Sequence, residues 1–141
     1  MLDGIAIGEA ARQSGVKVPT IRYYEQIGLL EAPPRSEGNR RTYRASDLRR
    51  LTFIRHAREL GFEIEAIRAL VTLQDDPNQS CAKADAIAKA RLGEVERRIR
   101  SLMALKAELE VMVEGCRHGR VEDCRVIEVL ADHDKCQHAE H

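Results

Sequence analysis

The stretch IAIGEAARQSGVKVPTIRYYEQIG, residues 5–28, decides the fold of this 141-residue chain. Apolar residues at positions 5, 7, 10 and 11 predict a short helix over about residues 7–14, and Ser14-Gly15 supplies its stop. A second helix is predicted to begin near Pro19, which suits a first helical turn, and to end at Gly28. Two short helices joined by residues 15–17 are typical of a helix-turn-helix.

Residues 29–80 predict a wing, two further helices and a boundary. Pro33-Pro34 disfavours helix, and residues 35–43, centred on Gly38-Asn39, indicate a turn between two short extended arms. The apolar pattern then predicts one helix capped by Ser46 and ending at residues 60–61, and another over about residues 64–73. Residues 75–80 break the second helix and form the clearest boundary in the chain.

A single long helix is predicted beyond this boundary, over residues 81–114. It contains no proline and only one glycine, and its apolar residues follow a heptad pattern: Ala88, Leu92, Val95, Ile99, Leu102, Leu109 and Val113. A helix of about 33 residues is roughly 50 Å long, more than the small preceding domain can cover. A second copy in an antiparallel two-stranded coiled coil is therefore the expected partner; the alternative is a helix folded back on its own domain.

The predicted DNA-contacting side chains lie on the second helix and in the wing. Lys plus Arg equals Asp plus Glu at 23 each, but residues 35–58 carry eight arginines against two acids. This local excess indicates a nucleic-acid surface, although a solvated, salt-bridged surface is the alternative. On the second helix the candidates are Thr20, Arg22, Tyr23 and Tyr24, with Arg22 best placed and one of the two tyrosines expected to contact a phosphate.

The motifs TIRYYE (residues 20–25), GLL (28–30), residues 35–43 and LTFIRHARELGF (51–62) closely resemble the DNA-binding half of MerR-family regulators. The resemblance covers nearly all of the first 73 residues. It implies a winged helix-turn-helix that binds an inverted repeat within an over-long promoter spacer, where RNA polymerase acts. It also places Arg22, Tyr23, Arg35, Tyr43 and Arg55 at positions that the family uses for DNA. The wing departs from the family pattern, since Asn39-Arg40-Arg41 stands where many relatives have Gly-Tyr-Arg; the added Arg40 and Arg41 are counted among the DNA candidates.

Three cysteines predict a metal sensor. Cys81 opens the long helix, while Cys116 and Cys124 flank the loop after it. Cys81 and Cys116 are roughly 50 Å apart along one helix, so they cannot meet within one chain. An antiparallel dimer brings Cys81 of one subunit to Cys116 and Cys124 of the other, giving three thiolates at each of two sites. Thiolates favour soft metals, and His118 is a candidate fourth ligand.

The effector is predicted to be divalent zinc, cadmium, lead or mercury, because the divalent branch of the resembled family has a cysteine where monovalent-copper relatives have serine. The short loop between Cys116 and Cys124 instead resembles the copper sensors, so a monovalent copper sensor remains an alternative. A thiol redox sensor that forms a disulfide between Cys116 and Cys124 is another. The tail carries a possible auxiliary metal cluster, for which a disordered tail is the alternative: His133, Cys136, His138 and His141.

The predicted fold is thus mainly α. A winged helix-turn-helix DNA-binding domain (1–74) and a hinge (75–80) precede a long antiparallel coiled-coil dimerisation helix (81–114), followed by a metal-binding loop, short helix and polar tail (115–141). The predicted function is activation of metal-resistance or efflux genes by DNA distortion. No nucleophile-base set or phosphate-binding glycine loop is present, so no enzyme is expected. Neither a membrane span nor a signal peptide is evident, so the chain is expected to be cytoplasmic, with its cysteines as thiols.

Overall fold

The computed structural model describes residues 4–35, 38, 40–115 and 118–132. These residues form six α-helices and one short 3-10 turn, with no named strand among them. The elements are α1 (Ile7–Ser14), α2 (Val18–Gln26), α3 (Ala45–Glu59), α4 (Ile64–Gln74), α5 (Ala82–Glu114), the 3-10 turn (Val121–Asp123) and α6 (Arg125–Ala131). The prediction of a mainly helical chain with a long helix after residue 81 is confirmed.

The helix ends show why local sequence predicts them well. Gly15 ends α1 with a φ of 76°, a left-handed conformation that glycine adopts without a Cβ penalty, and donates its N–H to Ala11 O. The prediction that Ser46 caps α3 is wrong. The helix begins at Ala45, Arg44 is its N-cap, and the Asp47 carboxylate accepts the Arg44 N–H at 2.8 Å.

The chain divides into two compact units, of which the first extends to Ile87. Its core collects the buried faces of α1 to α4, with α1 packed on α2 and α3, and α3 packed on α4. The buried apolar residues are Ala10, Val16, Ile21, Tyr24, Leu29, Leu30, Tyr43, Leu51, Ile54, Ala57, Ile67 and Val71. This core sets the position of α2, the second helix of the helix-turn-helix.

The wing is held by two antiparallel bridges, Ile5 to Tyr43 and Arg35 to Arg41. Ile5 and Tyr43 exchange both backbone hydrogen bonds at 2.8 Å, and the Thr42 N–H donates to Pro34 O at 2.9 Å. The N-terminal segment therefore ties the base of the wing to the domain. It runs so close that a Cβ on Gly4 would lie 1.6 Å from Thr42 Cγ2.

The second unit begins at Ala88 and contains most of α5, the 3-10 turn and α6. Among the residues of this unit that the structure describes, three are buried: Glu108 and Met112 on α5, and Val129 on α6. The predicted heptad positions lie on an uncovered face of α5, where Leu92, Ile99, Leu102, Leu109 and Val113 are 48–70% exposed. We call these five residues the α5 stripe.

None of the helices formed by the described residues combines the length and apolar character that a bilayer crossing requires.

Candidate DNA interface and metal-ligating residues

The helix α2 presents Arg22 and Tyr23 to solvent. Ile21 and Tyr24, three positions apart on one face, are buried in the core, so the positions between them point outward. Tyr23 is 48% exposed, whereas Tyr24 is 6% exposed and Thr20 is half-buried. The sequence predicted that one tyrosine of the pair would contact DNA, and Tyr23 is the one that the fold leaves accessible.

Burial also separates the two tyrosines chemically. Loss of solvation raises the pKa of Tyr24 above its ordinary value, and the nearby Arg58 charge only partly offsets this effect. Tyr24 is therefore mainly a core residue, and its remaining exposed part lines a basic hollow beside Arg55 and Arg58, so its place among the DNA candidates stays a prediction.

A concave surface of about 910 Å³ lies between α2 and the wing, and we call it the arginine cleft. Four of the predicted DNA-binding residues line it: Arg22, Arg35, Arg40 and Arg41. Guanidinium groups gathered on one concavity attract phosphate oxygens by charge and by their multiple N–H donors, although the Glu25 carboxylate offsets the charge of Arg41. The fold thus brings together residues that are up to 19 positions apart in the sequence.

Tyr43 lies beneath this cleft rather than on it. The side chain is fully buried, and its hydroxyl donates to Glu25 Oε2 at 2.5 Å. Burial, followed by the hydrogen bond to the Glu25 carboxylate, raises the pKa of Tyr43 well above its usual range. In this conformation the Tyr43 hydroxyl is committed to Glu25, so a direct phosphate contact, as the sequence suggested, is not available to it.

Sequence reasoning missed Glu25. Its Oε1 atom lies 2.6 Å from Arg41 Nη1. The two groups form an ion pair, but their geometry is not that of a hydrogen bond. A periodicity signal was available, because Glu25 is four residues after the buried Ile21 and therefore shares the inward face of α2. An acid on an inward face requires a partner, and Arg41 and Tyr43 provide it.

Arg55 belongs to a second basic surface, formed by the turn of the helix-turn-helix and α3. This hollow of about 340 Å³ is lined by Lys17, Thr20, Arg55 and Arg58, among others. Arg55 is exposed and pairs with Glu59 at 2.8 Å, and its side chain passes 3.3 Å from where a Cβ on Gly15 would lie. Lys17 and Arg58 were not among the predicted DNA contacts, although Arg58 lies within the basic region 35–58 that the sequence showed.

Comparison with known proteins decides the family. The family model described as "MerR HTH family regulatory protein" matches residues 5–74, and that described as "MerR, DNA binding" matches residues 48–112. The HTH-type transcriptional regulator ZntR of Escherichia coli (strain K12) is 42% identical over 128 residues, which cover 88% of this chain and 90% of ZntR. The chain belongs to the MerR family.

Solved MerR-family structures share its architecture. The transcription regulator PbrR691 from Ralstonia metallidurans CH34, in complex with lead(II), superposes with a TM-score of 0.77 at 35% identity, covering 89% of this chain and 98% of that one. MerR from Bacillus megaterium MB1, in complex with mercury(II), gives a TM-score of 0.69 at 29% identity, covering 91% and 100%. These relatives place the chain in the heavy-metal-responsive branch of the family, whose members are DNA-binding transcription regulators.

Two of the predicted metal ligands of this MerR-family chain, Cys81 and Cys124, lie just before helices. Cys81 is exposed and immediately precedes α5, where its carbonyl accepts the Asp85 N–H at 2.9 Å. Cys124 is half-buried, immediately precedes α6, and its carbonyl accepts the Glu128 N–H at 3.0 Å. Both carry free thiols. His118 is exposed, with a φ of 56° in the left-handed region.

The remaining predicted ligands lie outside the described residues: Cys116 in the loop, and His133, Cys136, His138 and His141 in the tail. Across the parts of one chain that the structure describes, no three His, Cys, Asp or Glu side chains are grouped to hold a metal ion. The donor chemistry nevertheless fits a soft metal, because two free thiols stand at accessible helix starts and thiolate is the ligand that soft metals prefer.

Proposed function

We propose that this chain is a homodimeric transcription regulator that binds promoter DNA and activates metal-resistance or efflux genes when a divalent soft metal (zinc, cadmium, lead or mercury) binds. The observation that carries the proposal is the uncovered α5 stripe, with one free cysteine before its helix and a second after it. Membership of the heavy-metal-responsive branch supports the same conclusion.

The α5 stripe supports dimerisation. Five large apolar side chains, each about half or more exposed, repeat along a helix of 33 residues. Exposed apolar patches of this kind mark association surfaces, and a heptad repeat is best covered by another helix with the same repeat. We propose that a second copy of α5 packs against the stripe in the antiparallel direction.

An antiparallel pairing would assemble the metal ligands from both subunits. The start of one α5 would lie beside the end of the other, about 50 Å along the helix. Cys81 of one subunit would then join Cys116 and Cys124 of the partner subunit, with His118 as a candidate fourth ligand. The metal, when bound, supplies bonds that cross the dimer interface. The lead(II) and mercury(II) in two relatives support a soft divalent effector.

The route from this site to DNA passes through residues 75–80. Asp75, the C-cap of α4, forms an ion pair with Arg50 of α3, so the start of the hinge is attached to the DNA-binding domain. We propose that ligation at Cys81 changes the setting of this hinge and of the two DNA-binding domains. A metal that prefers one setting shifts the population toward it. The DNA response would be bending and untwisting of the promoter spacer, which realigns it for RNA polymerase.

In vitro transcription from the native promoter tests the proposal. Purified full-length chain, RNA polymerase and a panel of zinc, cadmium, lead, mercury and monovalent copper would be compared for the wild type and Cys81→Ser. We expect Cys81→Ser to bind the operator normally and to lose the divalent response. Cys136→Ser makes the same change in the tail, and a wild-type response in this variant would show that the candidate tail cluster is not required for sensing.

Other outcomes identify the alternatives. A retained divalent response in Cys81→Ser overturns the three-thiolate site, and a response to copper alone makes the chain a monovalent sensor. Induction by peroxide in anaerobically prepared, metal-free protein, but not by metal, makes it a thiol redox sensor in which Cys116 and Cys124 pair.

A further inference from the structure

Glu25 is the only acid among the described residues that line the arginine cleft. The cleft otherwise presents guanidinium groups, which suit a polyanion, so a carboxylate at its base requires an explanation. The Glu25 side chain is only 4% exposed, so this acid belongs to the packed interior of the domain.

Both oxygens of Glu25 contact the wing. The Oε2 atom accepts the Tyr43 hydroxyl at 2.5 Å, and the Oε1 atom pairs with Arg41 Nη1 at 2.6 Å. Tyr43 is bonded to Ile5 through two backbone hydrogen bonds, and Arg41 forms the bridge with Arg35 across the wing. A single carboxylate therefore connects α2 to the wing at two points.

The pair with Arg41 lies where DNA would approach. The Arg41 side chain is 33% exposed, so a phosphate oxygen could reach it, but its guanidinium already has an anion 2.6 Å away. A DNA phosphate would have to compete with the Glu25 carboxylate for the Arg41 guanidinium. Because Glu25 is buried, losing its partner would leave its charge uncompensated, which costs free energy. Arg22, which is exposed on α2 and stands in the same cleft, meets no such competition from Glu25.

We propose that Glu25 is a positioning and specificity-determining residue, whose carboxylate fixes the wing against α2 and withholds the charge of Arg41 from the DNA backbone. This inference rests on the proposed binding of DNA by α2 and the wing. Phosphate contacts supply affinity for any sequence, so withholding one cation lowers non-specific binding. Fixing the wing preserves operator binding, which needs a defined register.

The test measures the salt dependence of binding to an operator duplex and to a scrambled duplex, by fluorescence anisotropy on the full chain between 50 and 200 mM salt, conditions over which phosphate contacts change affinity by orders of magnitude. Glu25→Gln keeps an acceptor for Tyr43 and removes the charge. We expect the slope of log K against log salt to steepen by about 0.9 per subunit as Arg41 becomes available. Affinity for the scrambled duplex should rise several-fold, and the ratio of operator to scrambled affinity should fall.

Three further variants identify the cause. Glu31→Gln makes the same charge change at an exposed position and should leave the slope unchanged. Arg41→Gln should weaken operator binding and destabilise the wing, because it leaves the buried Glu25 carboxylate without its partner cation. The double variant Glu25→Gln/Arg41→Gln should return to the wild-type slope, which is the expected result of a coupled pair.

The inference is overturned if Glu25→Gln leaves the slope and the specificity ratio unchanged, or if the double variant has a slope shallower than that of the wild type by about 0.9. The double variant decides the matter even if Glu25→Gln alone fails to fold, because it removes both charges and leaves neither without its partner. The variant Arg22→Gln distinguishes failure of the inference about Glu25 from failure of the proposed DNA binding. A shallower slope in Arg22→Gln confirms the arginine cleft as a DNA surface, whereas no change in Arg22→Gln contradicts the proposed interface itself.

Discussion

The two units of this chain treat their apolar residues in opposite ways. In the first unit five large side chains are fully buried: Tyr43, Ile21, Leu51, Ile54 and Ile67. In the second unit the five residues of the α5 stripe are 48–70% exposed. Both units are built from amphipathic helices, so the difference lies in what their apolar faces have to pack against.

This contrast teaches where the stability of each unit originates. The first unit buries its apolar surface within one chain, so its free energy of unfolding depends on internal packing. The α5 stripe gains the same type of free energy only by association, so its stability depends on protein concentration. Substitutions that affect one source and spare the other test the distinction.

The largest effect is expected from Leu102→Asp in the α5 stripe. Each copy would lose about 1.5–3 kcal/mol of apolar burial, and a symmetric dimer loses this twice. Dimer association measured by sedimentation should weaken by roughly 100-fold or more. Ser101→Asp places the same charge one residue away, off the stripe, and should remain dimeric. If Leu102→Asp remained as dimeric as this control, the stripe would not be the association surface.

Leu51→Ala should act on the first unit alone. Leu51 is fully buried, and such truncations cost about 2–5 kcal/mol through lost burial and a residual cavity. Chemical denaturation of the first unit should show this loss at every protein concentration. Leu60→Ala removes the same atoms from a side chain that is 62% exposed, and we expect a change within about 0.5 kcal/mol. Equal effects of the two substitutions would contradict the packing described for α3.

Gly4→Ala should loosen the wing from the first unit. The new Cβ would overlap Thr42 Cγ2 at 1.6 Å, and such overpacking costs about 1–3 kcal/mol. Gly8→Ala is the control, since a Cβ there meets nothing within 4 Å and alanine should stabilise α1 by up to about 1 kcal/mol. Thermal unfolding should move in opposite directions for the two variants, and a stabilised Gly4→Ala would show that the segment does not pack on the wing.

The smallest effect is expected from the exposed ion pair on α1. The Arg12 guanidinium, with help from the Gln13 amide, lowers the pKa of Glu9 from 4.5 to about 2. Because the folded-state pKa is lowered, this stabilisation is present above about pH 4.5 and is lost as the pH falls toward 2. Thermal unfolding of the wild type should therefore weaken slightly more over this pH range than that of Glu9→Gln. An identical pH dependence would mean that the pair contributes nothing in solution, as is common for exposed pairs.

The sequence predicted helix bounds closely because they depend on neighbouring residues. The bounds of α1 agree with the prediction and those of α5 differ by one residue, since proline, glycine and apolar spacing act over a few positions. The cap of α3 was the exception. Ser46 has the preferred chemistry for a cap, but the Asp47 carboxylate bonds to the Arg44 N–H and the helix begins one residue earlier.

The candidate DNA surface was predicted less completely. Local charge density showed that residues 35–58 are basic, and Arg22, Arg35, Arg40 and Arg41 do share one cleft. Local charge density did not show that the Glu25 carboxylate would accept a hydrogen bond from Tyr43, 18 positions away in the sequence. No periodic pattern links these two residues, since the approach of the wing to α2 depends on the packing of the whole domain.

By itself the sequence determined the family, the positions of the helices and the stripe of apolar residues along α5, because each depends on short motifs or on regular spacing. Only the tertiary structure decided that Tyr23 faces solvent while Tyr24 and Tyr43 face the core, and that Glu25 holds Arg41. The physical reason is that exposure and ion pairing are properties of surfaces brought together by folding. A side chain's own chemistry does not specify which of its possible partners the fold will place beside it.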